Sequence, residues 1–419
     1  MLERTVSVAA IASLMCLSAC STSSASPTGA ATDTGTTVTT ATPTPSPTPT
    51  PTPTPPGTTV VSPAGLSGEA VIPDNFSGGT EVTDGGARGP GAIAPVSGDD
   101  TGAFRMFCSA GQIARNDPIF FPGKQGASHL HQFVGNTGTD ENSTYNSLRT
   151  TGGTTCGAAN TPLNRSAYWI PAMLDGVGHV VKPDFLNLYY KRLPASAPGC
   201  TDPVKKRGVC IGLPNGIRYV FGYNMATGKD GITDPNSSAY WLMTYNCNDS
   251  EDGSVQAGAA KGLYHTLKEA SDAGCPVGAQ IIIVGFAEDC WDGVNLDSPD
   301  HRSHMAYATG NDLGYGRQCD PAHPYLIPDM QFQWHFTVDA NLKSWRLASD
   351  EMVPGAVAGS TLHMDYWEAW SPTAKAAWEQ ACINQHLTCS SGDLGNGMMI
   401  SGAGIPPGGF PKHVLAPIP

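Results

Sequence analysis

The chain has 419 residues, 49 of them glycine and 35 proline, with 14% charged residues and a formal net charge of −13 at pH 7. That length suffices for two ordinary domains or one large β-rich one. An acidic, lysine-poor chain excludes a nucleic-acid binder, because nothing in it would neutralise a run of phosphates, and abundant Gly and Pro favour turns over long helices.

The first predicted element is an export signal. Arg4 precedes the apolar run at 6–17, which is too short to span a bilayer and reads as a signal-peptide core. The run ends L-S-A-C at Leu17–Cys20, which resembles the bacterial lipobox. That resemblance implies a leader over 1–19 and acylation of Cys20, tethering the protein to the cytoplasmic membrane's outer leaflet, extracytoplasmic and facing the cell wall. Residues 20–62 are almost only Ser, Thr, Ala, Gly and Pro, with Asp33 the sole charge, and predict a disordered, semi-rigid stalk. A Gly-rich linker is expected over 63–100 and a single β-rich domain over 101–419.

Ten cysteines follow Cys20, and an even number in an exported chain argues for disulfides. Connectivity cannot be deduced from sequence; Cys200–Cys210, Cys382–Cys389 and Cys290–Cys319 are the nearest candidate pairs. In chain order, strands are predicted over 167–174, 185–192, 217–223, 240–246, 280–286, 304–308 and 329–338. The last alternates cleanly, with Phe332, Trp334 and Phe336 on one face and Gln331, Gln333 and His335 on the other. A helix is predicted over 371–383, with Ser371 as N-cap and Pro372 in its first turn, and a weaker one over 257–270. Regularly spaced strands with few helices indicate a disulfide-bonded, jelly-roll-like β-sandwich, expected to act as a monomer.

Seven of the 11 histidines fall in polar-aromatic motifs. His129 and His131 flank one leucine in S-H-L-H-Q-F-V-G-N; on a strand, the period of two would point them the same way. C-W-D-G-V-N-L-D-S-P-D-H-R-S-H-M-A-Y at 290–307 carries Asp300, His301, Arg302, His304 and Tyr307, and S-T-L-H-M-D-Y carries His363 and Asp365. So many ionisable groups have little packing value, which points to a site.

These motifs, with D-P-I-F-F-P-G before the first of them and S-A-Y-W-I-P-A-M-L-D-G after it, in that order, resemble the secreted domain-of-unknown-function family nineteen ninety-six of actinobacteria and filamentous fungi, over about residues 103–375. In fungi that domain often stands beside carbohydrate-binding WSC modules. The resemblance therefore implies a role at polysaccharide surfaces and assigns no activity.

Three chemistries fit the residues. His129 and His131, with His304 or else His301 or His363 and a carboxylate such as Asp300 or Asp365, would bind zinc or another first-row divalent ion. Alternatively His129, His131, His304, Arg302 and Tyr307 would serve a metal-free polysaccharide lyase as base and charge stabiliser. The third is a non-catalytic carbohydrate-binding or cell-wall module, with Trp169, Trp291 and Trp334 stacking on sugars and Gln132, Asn136 and Asn295 donating hydrogen bonds. The expectation is a lyase or metal-assisted hydrolase acting on polysaccharide.

Overall fold

The structure, a computed structural model, describes residues 66–74, 82–84, 100–157, 162–203, 207–228, 240, 242–248, 262–310 and 317–419. The leader, Cys20 and the stalk lie outside the described residues. So does the beginning of the helix predicted over 257–270; within that stretch the structure forms a short strand and then a helix, Leu267–Asp272, capped by Thr266.

Twelve strands build the two principal sheets: β1 Gly102–Ser109, β2 Ile113–Ala114, β3 His131–Gly135, β4 Ala167–Pro171, β5 Phe185–Arg192, β6 Arg218–Gly222, β7 Met243–Asn248, β8 Leu263–Tyr264, β9 Gln280–Phe286, β10 Asp329–Thr337, β11 His363–Trp367 and β12 Thr388–Cys389. The larger sheet runs β8-β7-β9-β10-β5-β1-β12 and the smaller β6-β11-β4-β3-β2. Neighbours are antiparallel except β1 and β12.

The alternation read in β10 holds. Phe332, Trp334 and Phe336 are wholly buried, and they face the second sheet. Phe332 meets Tyr168 of β4 and Phe221 of β6, each at a ring-centroid distance of 5.6 Å, and Tyr366 of β11 at 6.3 Å. These contacts join the inner faces of the sheets into one core, the arrangement that buries most apolar area for two half-apolar sheets.

All ten cysteines after Cys20 are paired: Cys108–Cys156, Cys200–Cys210, Cys247–Cys275, Cys290–Cys319 and Cys382–Cys389. Mainly β and disulfide-bonded, the fold is of the class expected. The late helix begins as predicted: Ser371 accepts the N–H of Ala374, and Pro372 stands in the first turn, where its missing N–H costs nothing. It is α-helical over Pro372–Trp378 and then widens into a π-turn over Glu379–Ile383.

Part of the stretch read as a linker lies against the folded domain. Residues 66–74 are docked along the folded domain: Ser67 N–H donates to Gly293 at 3.1 Å and Glu69 N–H to Asn215 at 2.9 Å. Asp74 pairs with buried Arg149 at 3.8 Å. Val82–Asp84 pairs antiparallel with Met398–Ile400.

Candidate functional site

The site forms on the outer face of the smaller sheet. With a period of two, His131 and Phe133 of β3, Trp169 and Pro171 of β4, and His363, Asp365 and Trp367 of β11 point away from the sandwich core. The register sets Val220 opposite Asp365, Asp365 opposite Trp169, and Trp169 opposite Phe133. Phe133, Trp169, Val220 and Trp367 pack with Phe120 and Ile72 into an apolar floor. One step further along the strands, His131 lies opposite Pro171, and His363 lies opposite Gly222. Pro171 and Gly222 carry no long side chain, so the imidazoles have room to lean together.

They do. The His129 and His131 rings are 4.2 Å apart, His129 and His363 5.0 Å, and His131 and His363 6.1 Å. One ring nitrogen of each lies within 4.8 Å of the others, a spacing that could hold a metal ion. None of the three is more than 8% exposed. Two rings are oriented by backbone: His131 Nδ1–H donates to Asn116 carbonyl at 3.0 Å and His363 Nδ1–H to Thr361 carbonyl at 2.9 Å. That fixes the tautomer that leaves each Nε2 with a free lone pair. Nε2 of His129 and of His131 is buried without a hydrogen-bond partner.

Burial disfavours imidazolium here. Burial first, then nearby Arg115, lowers His129 to about 4. His131 and His363 are also held well below the ordinary histidine range, again first by burial and then by neighbouring imidazoles. The trio is therefore neutral at physiological pH, the protonation state of a ligand.

Two buried carboxyls stand beside it. Both oxygens of Asp365 are buried with no hydrogen-bond partner. Burial and then Asp117 push its pKa well up, with Arg302 opposing. Asp117 accepts the N–H groups of Ile119 and Phe120, both at 2.9 Å, yet burial still raises it to about 6. Sequence reasoning missed Asp117. Its one signal was the D-P step opening D-P-I-F-F-P-G, which also reads as an ordinary turn.

The loop after Cys290 covers one flank of this face. His301 has φ +59°, a region that non-glycine residues rarely occupy. Its carbonyl accepts Val220 N–H at 3.0 Å, and its Nδ1 lies 2.8 Å from Asp297. Its ring meets Phe120 edge-on at 4.8 Å. Arg302 donates to the Gly222 and Tyr223 carbonyls at 3.0 and 2.8 Å, tying the loop to the end of β6.

Other expected residues are placed elsewhere or already engaged. His304 is not a member of the trio: Nδ1 meets the Ser298 hydroxyl at 2.8 Å and Nε2 the Arg218 carbonyl at 3.0 Å, so one nitrogen is spent within the loop and the other on β6. His363 takes the place that the ligand set expected of His304. Asp300 is exposed, and although burial opposes it, bonds from Ser303 and Ser298 hold its carboxyl well below the usual range. Tyr307 donates to the Phe286 carbonyl at 2.9 Å. Trp169, Trp291 and Trp334 are wholly buried and offer a sugar no ring face. Gln132 and Asn136 are 2% exposed, and Asn136 ties its own turn through Leu148, Thr151 and Gly138. Asn295 alone of the expected sugar-contacting residues is exposed.

No curated protein and no solved structure matches the chain. A family model does match, over residues 117–370, and this stretch holds Asp117, all three clustered histidines, Asp365 and the His301 loop. The chain belongs to the family described as Domain of unknown function (DUF1996).

Proposed function

We propose that His129, His131 and His363 bind a divalent transition metal through neutral imidazole nitrogens, and that the protein uses this centre to cleave polysaccharide at the cell envelope or in its surroundings. The observation that carries the reading is the convergence of three buried ring nitrogens within 4.8 Å. The donor set fits such an ion. Three neutral imidazoles suit zinc, copper or iron better than calcium or magnesium. Asp365, two residues from His363 on β11, has both carboxyl oxygens buried without a hydrogen-bond partner. Without an ion, the orphaned Nε2 atoms and carboxylate oxygens would be an uncompensated cost of burial.

In this reading the ion supplies Lewis acidity toward a substrate oxygen. The chain's own residues do the rest. Asn116 and Thr361 hold the ring orientations, Arg302 anchors the covering loop, and Phe133, Trp169 and Trp367 keep water from the floor. The lipobox at Cys20 and the Thr/Pro stalk support the polysaccharide assignment, since they would hold the domain at the outer membrane face within reach of wall glycans.

The near-complete burial of His131 and His363 favours a second reading, a non-catalytic wall or carbohydrate-binding module in which the ion is structural. A polysaccharide panel separates the two. The purified protein is scored for new reducing ends and unsaturated-uronate absorbance, before and after chelation and after metal is restored. Cleavage that chelation abolishes and zinc or copper restores is expected. Chelator-resistant cleavage would eliminate the metal scheme, and unfolding on chelation with no cleavage of any polymer would establish the structural one.

A further inference from the structure

Just past β11 the chain brings a lysine, a glutamate and an asparagine side chain together, and the histidine chemistry makes no use of them. Glu368 follows β11 directly and is wholly buried, and Lys375 lies in the late helix with 6% exposure. Asn215 stands in the N-G turn that leads into β6, where Gly216 has φ +78°. Lys375 Nζ donates to Glu368 Oε1 at 2.8 Å, to the Leu213 carbonyl at 2.9 Å and to Asn215 Oδ1 at 2.5 Å. Backbone holds Glu368 in place: Gly216 N–H donates to Oε2 at 2.7 Å and Trp370 N–H to Oε1 at 3.1 Å.

Two features make this trio more than an ion pair. The first is proximity. A carbonyl bond of about 1.23 Å sets Cγ of Asn215 within about 3.7 Å of the lysine nitrogen. That approaches the roughly 3–3.5 Å from which a nucleophile attacks. The second is burial. Holding an ammonium and a carboxylate away from water is costly. Passing one proton from Lys375 to Glu368 discharges both, and it leaves an amine beside an amide carbonyl.

We propose that the folded protein joins Lys375 to Asn215 by an isopeptide bond, with Glu368 as the catalytic acid and base. The Lys375 amine attacks Cγ of Asn215, forming the new N–C bond. Glu368 hands the proton it took to Nδ2 and accepts one from the attacking nitrogen. The C–Nδ2 bond then breaks and ammonia leaves, with no water or oxidant consumed. Asn215 is half-buried and its Nδ2 lies 3.4 Å from the carbonyl of exposed Glu69, so the ammonia departs at the surface. The bond ties the turn before β6 to the late helix across 160 residues, whereas the widest disulfide spans 48. A cross-link closing so long a loop constrains the unfolded chain strongly.

The test is mass spectrometry of the full-length protein after reduction and digestion, for wild type, Glu368→Gln, Asn215→Ala and Lys375→Met. Wild type should yield a branched peptide joining the Lys375 and Asn215 segments, lighter by one ammonia than the two linear peptides together. Glu368→Gln should hold at least tenfold less of it, and the other two variants none. The wild-type map decides the bond whether or not the variants fold: linear peptides alone would overturn the proposal. Ammonia lost within the Asn215 peptide alone, and still lost in Lys375→Met, is succinimide formation at Asn215–Gly216 and would overturn it as well. A branched peptide undiminished in Glu368→Gln would overturn the role given to Glu368.

Discussion

His363 and His304 differ in what their ring nitrogens already hold. Both stand in motifs that look like ligand sets, yet only His363 keeps a lone pair for a ligand, because Thr361 takes just one nitrogen whereas Ser298 and Arg218 take both of His304. Spacing along the chain shows which histidines are near one another in sequence; it does not show which hydrogen bonds a loop closes on itself. The H-x-H pair was legible because strand geometry alone aligns it. Asp117 was not, since its proximity to Asp365 depends on how a distant turn folds over β11.

A second residue-scale consequence concerns pH. His323 bridges Asp320, at 3.1 Å, and the Ser303 carbonyl, at 2.9 Å, and so pins the loop bearing His301 and Arg302. Burial opposes its charge, but the bond to Ser303, Asp320 and the more distant Asp292 together raise its pKa above 6.5. A histidine raised on folding stabilises fully below its unfolded pKa, and that contribution is lost as pH rises through the folded value. The melting temperature of His323→Gln should therefore fall below wild type at pH 5.5 and converge with it by pH 8.5. The gap should be worth on the order of 1 kcal/mol or less, since the pair is partly exposed. A gap that widens toward alkaline pH would contradict this sign.

At the scale of elements, most strands were readable, including Ala167–Pro171 and Arg218–Gly222 of the site's sheet, but Gly102–Ser109 and His363–Trp367 were not. Phe185–Arg192 and Gln280–Phe286 were predicted residue for residue, because apolar runs between turn signals identify buried strands. Gly102–Ser109 escaped notice since Ala103 and Phe107 are buried along with Phe104, Met106 and Cys108, which blurs the alternation. His363–Trp367 has polar residues on a buried face, so its pattern resembles a solvated loop. Composition likewise concealed the strap at 66–74. Ile72 packs on the floor beneath the histidines, and Asp74 neutralises Arg149, which is 3% exposed. Removing residues 1–65 should leave the melting temperature of the remainder unchanged. Removing 1–75 should destabilise it by about 3 kcal/mol, the order expected when a buried ion pair loses one partner. Equal stability of the two truncations by denaturant titration would mean the strap adds nothing.

Across the whole molecule, five disulfides and two packed sheets leave the outer face of the smaller sheet as a rigid platform for three imidazoles. The class of fold followed from composition and periodicity, and three of the five disulfides from sequence proximity alone. Cys108–Cys156 and Cys247–Cys275 span 48 and 28 residues, and such pairings depend on topology that no local pattern encodes. The central claim is that the platform exists to hold a metal ion. It is tested most directly by elemental analysis after loading with zinc, copper or iron and exhaustive desalting, for wild type and for His129→Ala, His131→Ala, His363→Ala and His304→Ala. The account predicts about one ion per chain in wild type and in His304→Ala, and a loss of at least tenfold in stoichiometry or affinity in each of the other three. A wild-type protein that retains no metal under any loading, or a His363→Ala protein that retains it as wild type does, would contradict it.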